Sequence, residues 1–366
     1  MRKTLAITAA SALVLTMSAC GRDTEPEAGT GTGITAGEKG TIGVAMPTKT
    51  SQRWIKDGDY IKAELEAAGY TVNLQYANDD IPTQVTQVND MVTRENQVMV
   101  IASIDGTALA GVLKEAEDAG IPVIAYDRLL RDTEAVDYYT TFDNFKVGVL
   151  QAESLIEGLE ASGAASPWNV ELFAGSPDDN NATFFFDGAM SILQPMIDAG
   201  DIVIPSEETD FDTVATLRWD AAVAKKRMEN ILTRSYTSAD VNGVLAPYDG
   251  LSRGIIAALK GGGYGSGEKT LPVITGQDAE IESVKAILAG EQYSTVFKDT
   301  GDLAAATVKM IQEIAGDEEV EVNDTETYDN GMLVVPTFLL DPVSVNAENI
   351  EQVLLDAEYY TEEELS

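Results

Sequence analysis

The segment "GSPDDNNATFFFDGAM" at positions 175–190 sets Asp178, Asp179, Asn180 and Asn181 side by side and soon follows them with three phenylalanines. A buried strand does not gather so many polar groups, because each buried polar atom needs a partner. A solvated loop is rarely followed by such an aromatic block. The composition is that of a place where something is held. Arg53 and Arg128 have the same character, each standing beside carboxylates or polar clusters. A guanidinium supplies only donors and a carboxylate only acceptors. A ligand satisfied by both must present paired donors and acceptors, as a polyhydroxyl ring does. Trp54 and Trp219, the latter in "LRWD", offer flat faces to the C–H side of such a ring. Packing in a helix face or core is the alternative for each. Asp278 in "GQDAE" adds an acceptor and Lys298 in "TVFKD" a donor.

Composition removes most competing chemistries. The chain contains no histidine and one cysteine, Cys20. Ser-His-Asp and Cys-His nucleophiles and histidine-based metal sites are therefore excluded. No intrachain disulfide can form, so the fold must stand on its core. With 24 basic against 61 acidic residues, the chain should be repelled by nucleic acid and by anionic membrane surfaces. No cofactor or metal is expected.

The N-terminus reads as an address. Arg2 and Lys3 precede the apolar run "LAITAASALVLTM", which is shorter than the roughly 20 residues of a membrane span. It ends in "MSAC", small residues leading into Cys20. Residues 1–19 thus look like a bacterial lipoprotein signal, with Cys20 lipidated and anchoring the protein outside the cytoplasm. An ordinary cleaved signal with an incidental cysteine is the alternative. Residues 20–40, rich in Gly, Thr and acids, form a flexible tether. The roughly 325 residues from Thr41 onward suggest two domains at about 150 residues each.

Within that part the pattern alternates. "TIGVAMP", "YTVNLQYAN", "QVMVIAS" and "IPVIAYD" read as strands, the last two as apolar runs of the kind buried on both faces. Helical spacing separates them, from Trp54 to Ala68, in "IPTQVTQVNDMVTREN" and in "GTALAGVLKEAEDAG". The fold class is α/β, an open parallel sheet with helices on both sides. The pattern restarts with "YYTTFDNFKVGVLQAESLIEGLEA", a turn leading into a helix. Strands at "WNVELFAGS", "DIVIPSE", "VNGVLAPYD" and "LPVITGQD" follow, with helices near 183–199, 220–234 and 251–260. Polar residues collect at five strand ends, "MPTKTSQRW", "AYDR", "AGSPDDNN", "LAPYD" and "TGQD". Ligands of open α/β sheets sit outside the carboxyl ends of strands, although capping of the next helix would also place acids and amides there.

Taken in order, "AMPTKTSQRWIKDG", "YANDDIPTQ", "VIASIDGT", "VIAYDRLL", "TFDNFKVGVLQA", "ELFAGSPDDNNA", "LRWD", "LAPYDGLS", "GQDAE" and "GEQYSTVFKDT" resemble the type I periplasmic sugar-binding proteins of ABC importers. The likeness covers the chain from about residue 40 to its end. It is nearer to the multiple-monosaccharide receptors than to the xylose-binding proteins. It implies two Rossmann-like lobes joined by three crossover segments and closing on an aldopyranose. The expected N-lobe is 41–142 with 279–333, and the C-lobe 143–278 with 334–366. The resemblance assigns Arg53 and Trp54 to the first N-lobe strand end and Asp127 with Arg128 to the fourth. Asp179 and Asn181 become C-lobe contacts, Trp219 the stacking residue, Asp249 and Asp278 acceptors, and Lys298 a donor near a crossover. Tyr248 departs from the "ND" of the xylose-binding proteins. Phe184 to Phe186 should pack the helix after "DDNN" onto its lobe, with one ring beneath the sugar as the alternative. Asp178 and Asn180 should hold the loop or cap that helix.

The expected partners are a monosaccharide and an ABC permease with its ATPase, with the receptor itself a monomer; whether it also feeds a sensor or chemoreceptor is left open by the sequence. A glycoside hydrolase would need one carboxyl kept protonated, whereas Arg53, Arg128 and Lys298 should hold the acids ionised. A repressor with the same core would need a DNA-binding helix pair where residues 1–40 carry a signal and a tether. Cys20→Ser should release the folded domain in soluble form or leave the precursor unprocessed, as cell fractionation will read. A processed variant that still fractionates with membranes removes the anchor.

Overall fold

The computed structural model describes residues 39–266 and 269–366, so Cys20, the signal segment and nearly all of the tether lie outside the described residues. Five strands come first: β1 (Thr41–Met46), β2 (Thr71–Tyr76), β3 (Val98–Ile101), β4 (Val123–Tyr126) and β5 (Tyr138–Phe142). Five more follow: β6 (Trp168–Leu172), β7 (Ile202–Val203), β8 (Gly243–Leu245), β9 (Val273–Ile274) and β10 (Ser294–Phe297). Two short strands near the end, β11 (Thr337–Leu340) and β12 (Val343–Asn346), are divided between the sheets.

The first sheet has the order β11-β5-β4-β3-β1-β2, and every neighbouring pair is parallel. Its central strands are buried on both faces, as the apolar runs of β3 and β4 require. The second sheet runs β7-β6-β8-β9 in parallel. Backbone bonds from Tyr293 to Ile274 and from Val296 to Gly276 carry it on into β10, and β12 closes it antiparallel to β10. In both sheets the strand order reverses beside the first strand, between β1 and β3 and between β6 and β8. Such reversals open a crevice at the strand carboxyl ends.

Two expected boundaries move. β11 pairs with β5, so 334–340 belongs to the N-lobe. The helix Ile281–Leu288 packs with β10 and with the helix Asp249–Gly261, and β10 extends the second sheet, so 279–297 belongs to the C-lobe. The second and third crossings therefore fall near Lys298 and Asp341 rather than at 278 and 333. β5, β10, β11 and β12 were also absent from the strands read by periodicity. The tail returns to the hinge, where Lys56 of the N-lobe lies over the rings of Tyr359 and Tyr360 at 3.7 and 4.0 Å.

Two helices place the "DDNN" loop. Asn144–Ala161 and Asn180–Ala199 cross with backbone nearly touching backbone, because Gly148 faces the Phe185 carbonyl and Gly188 faces the Phe145 carbonyl. A Cβ at either glycine would meet a carbonyl oxygen that cannot rotate away. Gly148→Ala and Gly188→Ala should each cost about 1–3 kcal/mol in urea unfolding, as overpacking does. Gly111, in the helix Ala110–Asp118, faces open space, so Gly111→Ala should gain about 0.5–1 kcal/mol. Equal effects at all three positions would refute the close crossing.

Candidate functional site

Arg53 sits in the first turn of the helix Gln52–Ala67, just past β1, and is 4% exposed. Its guanidinium is divided among three carboxylates. Nε donates to Asp57 Oδ2 at 3.1 Å, one Nη donates to Asp127 Oδ1 at 2.5 Å, and the other lies 3.6 Å from Asp278 Oδ1. Lys298, buried at the end of β10, stands 3.1 Å from Asp278 Oδ1 and 3.8 Å from Asp127 Oδ1. Two cations and two carboxylates thus converge on one point from both lobes. Burial works against the charge on Arg53, yet Asp127, Asp57 and Asp278 together raise its pKa. Burial would lift Asp127, but Arg53 and Lys298 outweigh it and hold that carboxyl below the usual range. Asp57 goes the other way. Burial pushes it up to about 6 against the pull of Arg53 and the hydrogen bond from Tyr126.

The opposite wall comes from the C-lobe loop after β6. Asp179 caps the helix Asn180–Ala199 by accepting from the Asn181 N–H. Its other oxygen lies 3.0 Å from Arg128 Nε and accepts from the Trp219 indole at 3.2 Å. Burial raises the Asp179 carboxyl despite Arg128. Trp219 packs against Gly175, where any side chain would collide with the indole. Phe185 and Tyr248 meet it nearly edge-on, at 6.3 and 6.0 Å between ring centres. Trp54, on the N-lobe side, carries the Arg53 and Arg128 guanidiniums over its ring at 4.8 and 5.1 Å. Between these walls lies a cleft with about 560 Å³ of atom-free space, solvent at its mouth included.

Backbone strain gathers here. Asp127, Arg218, Trp219 and Asp278 all take φ between 53° and 88°, the left-handed region that non-glycine residues seldom occupy. Such conformations cost free energy and persist where the surroundings impose them. The surroundings are visible for Asp127: its carbonyl accepts from Tyr139 Oη, Thr141 Oγ1 and Asn181 Nδ2.

Nine of the expected residues, Arg53, Trp54, Asp127, Arg128, Asp179, Asn181, Trp219, Asp278 and Lys298, line the cleft. Asp249 does not. It is fully buried behind the wall, and its oxygens accept from Gln292 Nε2 at 2.9 Å and from the Glu280 N–H at 2.8 Å. Burial, then Glu280, pushes its pKa well up. Asn181 lines the cleft with most of its capacity spent. Oδ1 accepts from Tyr139 and Asn144 and one N–H goes to the Asp127 carbonyl, which leaves a single donor. The cap of the following helix is Asp179, whereas Asp178 binds Ser176 and Arg218. The three phenylalanines divide their work. Phe186 joins the C-lobe core, Phe185 lines the cleft, and Phe184 reaches across to the N-lobe core and Tyr328.

The sequence reading missed Asp57, Ser51, Gln277, Arg218 and Glu280. Asp57 stands four residues after Arg53, the spacing of a helical ion pair, and that signal was there to be read. Gln277 precedes Asp278, and its Oε1 is buried at the cleft with no hydrogen-bond partner among the described residues. Arg218 Nη1 and Arg128 Nε are alike in this, the latter close to Asp179 without hydrogen-bond alignment. The cleft thus offers both donors and acceptors. The cations prevail over burial at Asp127, whose carboxyl is held low, whereas burial prevails at Asp57 and Asp179 and raises both.

Residues 42–319 match the model of the periplasmic binding protein domain. This chain belongs to that family. A periplasmic binding protein similar to it is the multiple sugar-binding periplasmic receptor ChvE of Rhizobium radiobacter, 58% identical over 90% of this chain and 93% of the relative. The D-xylose-binding periplasmic protein of Escherichia coli is 36% identical over 88% and 92%. Among solved structures, an ABC transporter solute-binding protein from Clostridium phytofermentans with bound β-D-glucose superimposes with a TM-score of 0.85. It is 44% identical and covers 89% of this chain and all of its own. The family and the two-lobed α/β class anticipated from the ordered motifs are thereby established.

In this binding protein the Asp57 carboxyl carries a pH signature. Around pH 4 to 6 the unfolded chain has released the Asp57 proton while the folded protein keeps it, so raising the pH favours unfolding. The contribution is complete below about pH 4 and is lost as pH rises through about 6. The stability of the parent relative to Asp57→Asn should therefore fall by on the order of 2–3 kcal/mol across that interval. Urea unfolding at pH 4, 5, 6 and 7 measures it. A constant difference would mean that folding leaves the Asp57 pKa unshifted.

Proposed function

We propose that the protein is the substrate receptor of an ABC sugar importer, binding an aldopyranose of the glucose, galactose, xylose or arabinose class between two closing lobes. One observation carries the proposal. Buried Arg53, Asp127 and Lys298 and half-buried Asp278, drawn from both lobes, face a cleft bounded by the indoles of Trp54 and Trp219. Sugar hydroxyls donate and accept at once, so they suit a wall of alternating guanidinium, ammonium and carboxylate groups. Sugar C–H faces suit the indoles. The relatives, a multiple sugar-binding receptor and a D-xylose-binding protein, support the same ligand class, as does the glucose-bound solute-binding protein. These relatives are receptors, and we read this chain as a non-enzyme of the same kind. Lipid attachment at Cys20, an extracytoplasmic location, a permease partner and action as a monomer belong to the proposal. The first of these rests on the residue pattern around "MSAC" alone.

Charged groups from both lobes are completed by one another and by the ligand, which couples binding to closure. Calorimetric titration with D-glucose, D-galactose, D-xylose and L-arabinose tests the reading. Arg128→Ala and Asp278→Ala should each weaken the sugar that binds best by about 2–5 kcal/mol, the effect of removing one member of a charged hydrogen-bonding set closed off from water. Trp219→Phe should keep much of the affinity and Trp219→Ala should lose about 2–4 kcal/mol, as buried aromatic anchors do. Normal affinity in Trp219→Ala, with melting of the sugar-free protein lowered, would reassign that tryptophan to the core. Losses below tenfold at both Arg128 and Asp278 would place the site elsewhere.

A further inference from the structure

Three helices begin around the cleft with residues whose side chains do not cap them. Ser51 precedes Gln52–Ala67, Tyr248 precedes Asp249–Gly261 and Glu280 precedes Ile281–Leu288, and none of the three bonds the first turn of its own helix. Serine commonly does so at this position. Asp80, Asp143, Asp179, Asp220 and Asp299 do so at theirs. The three side chains meet one another instead. Ser51 Oγ donates to Glu280 Oε1 at 3.0 Å, and Tyr248 Oη donates to the same oxygen at 2.8 Å. Arg253 holds the other oxygen, Oε2, at 2.5 Å. Glu280 is 4% exposed, and its N–H is fixed by Asp249, which Gln292 anchors in turn. Of these residues only Ser51 stands on the N-lobe.

We propose that Glu280 is the latch of the closed cleft, a positioning residue that grips the N-lobe through Ser51. The proposal rests on the reading that the cleft binds an aldopyranose by closing. Tyr248, Arg253 and Asp249 all belong to the C-lobe with Glu280, so they hold its carboxylate in place whether the cleft is open or shut. Of the bonds made by Glu280, opening breaks only the one from Ser51. Closing exchanges water on that hydroxyl for a charge-assisted bond to a preset oxygen. The latch therefore shifts the balance between open and closed forms, and apparent affinity follows the closed fraction. The bond does not involve the ligand, so its effect is common to every sugar that the cleft accepts. It acts before release, so it appears in the dissociation rate. Tyr248 gains a role as well: its ring lines the cleft beside Trp219 while its hydroxyl ties that wall to the latch.

The test uses the whole protein, with Ser51→Ala as the primary variant and Glu280→Gln as the second. Affinities for D-glucose, D-galactose and D-xylose come from calorimetry, and rates from stopped-flow tryptophan fluorescence. Ser51→Ala should weaken every sugar that the parent binds by one common factor of roughly tenfold, the worth of one bond to a charged acceptor. The change should lie in dissociation, with melting of the sugar-free protein unaltered. Glu280→Gln keeps a neutral acceptor and should fall between the parent and Ser51→Ala. An unchanged dissociation rate in Ser51→Ala overturns the latch, and so does a loss confined to one sugar, which would make Ser51 a sugar contact. If the parent binds none of these sugars, the proposed function fails and the latch with it. If the parent binds and Ser51→Ala behaves like it, only the latch fails.

Discussion

The structure is organised around one buried cation. A guanidinium taken out of water costs several kcal/mol unless carboxylates replace its hydration, and Arg53 has three to draw on. Two of them, Asp57 and Asp127, belong to its own lobe, and the third, Asp278, comes from the other. The first two keep the charge in place at all times. The third makes its full satisfaction depend on how the lobes meet. Lys298 repeats the arrangement from the hinge, since it touches carboxylates of both lobes. Much else in the cleft can be read as scaffolding for this set. Asp127 is forced into a left-handed backbone by bonds to its carbonyl from β5 and from Asn181, and Tyr126 steadies Asp57 from behind.

Much of this was legible because the signals are local. Apolar runs ending in polar residues marked β1 to β4 and β6 to β9, and Gly69 and Gly120 marked the ends of two of the helices between them. The strands that escaped notice lack such a signal. β5, "YYTTF", is rich in hydroxyls, and two of its threonines are spent inside, Thr140 on Thr307 and Thr141 on the Asp127 carbonyl. β11 and β12 are separated by only Asp341 and Pro342 yet enter different sheets. No local pattern says which sheet an isolated apolar tetrapeptide will join, and that choice decided where the lobes were divided.

Site residues divide in the same way. "YDG" around Asp249 and "QDA" around Asp278 look equivalent as acids past a strand end. One is fully buried behind the wall and the other faces the cleft. The difference lies in Gln292 and Glu280, which are far off in sequence and claim both Asp249 oxygens. The mistaken assignment of Asp249 as a ligand contact and the overlooked Glu280 are thus two sides of one contact. Likewise, the amide of Asn181 was rightly placed at the cleft, but its capacity is largely used by Tyr139, Asn144 and the Asp127 carbonyl. Only the packing of the two lobes against each other reveals that expenditure.

The pairing of β11 with β5 also bears on how such a chain is made. Tyr139 lies in register with Thr337, so the edge of the first sheet stays open while everything between them is synthesised. Closing so long a loop is entropically unfavourable until the intervening C-lobe has begun to condense, and contacts of such separation slow folding. The first lobe therefore cannot finish its sheet until nearly the whole chain has emerged. For a protein that must be threaded through a membrane before it folds, as the export proposed here requires, the path of the chain supplies the delay.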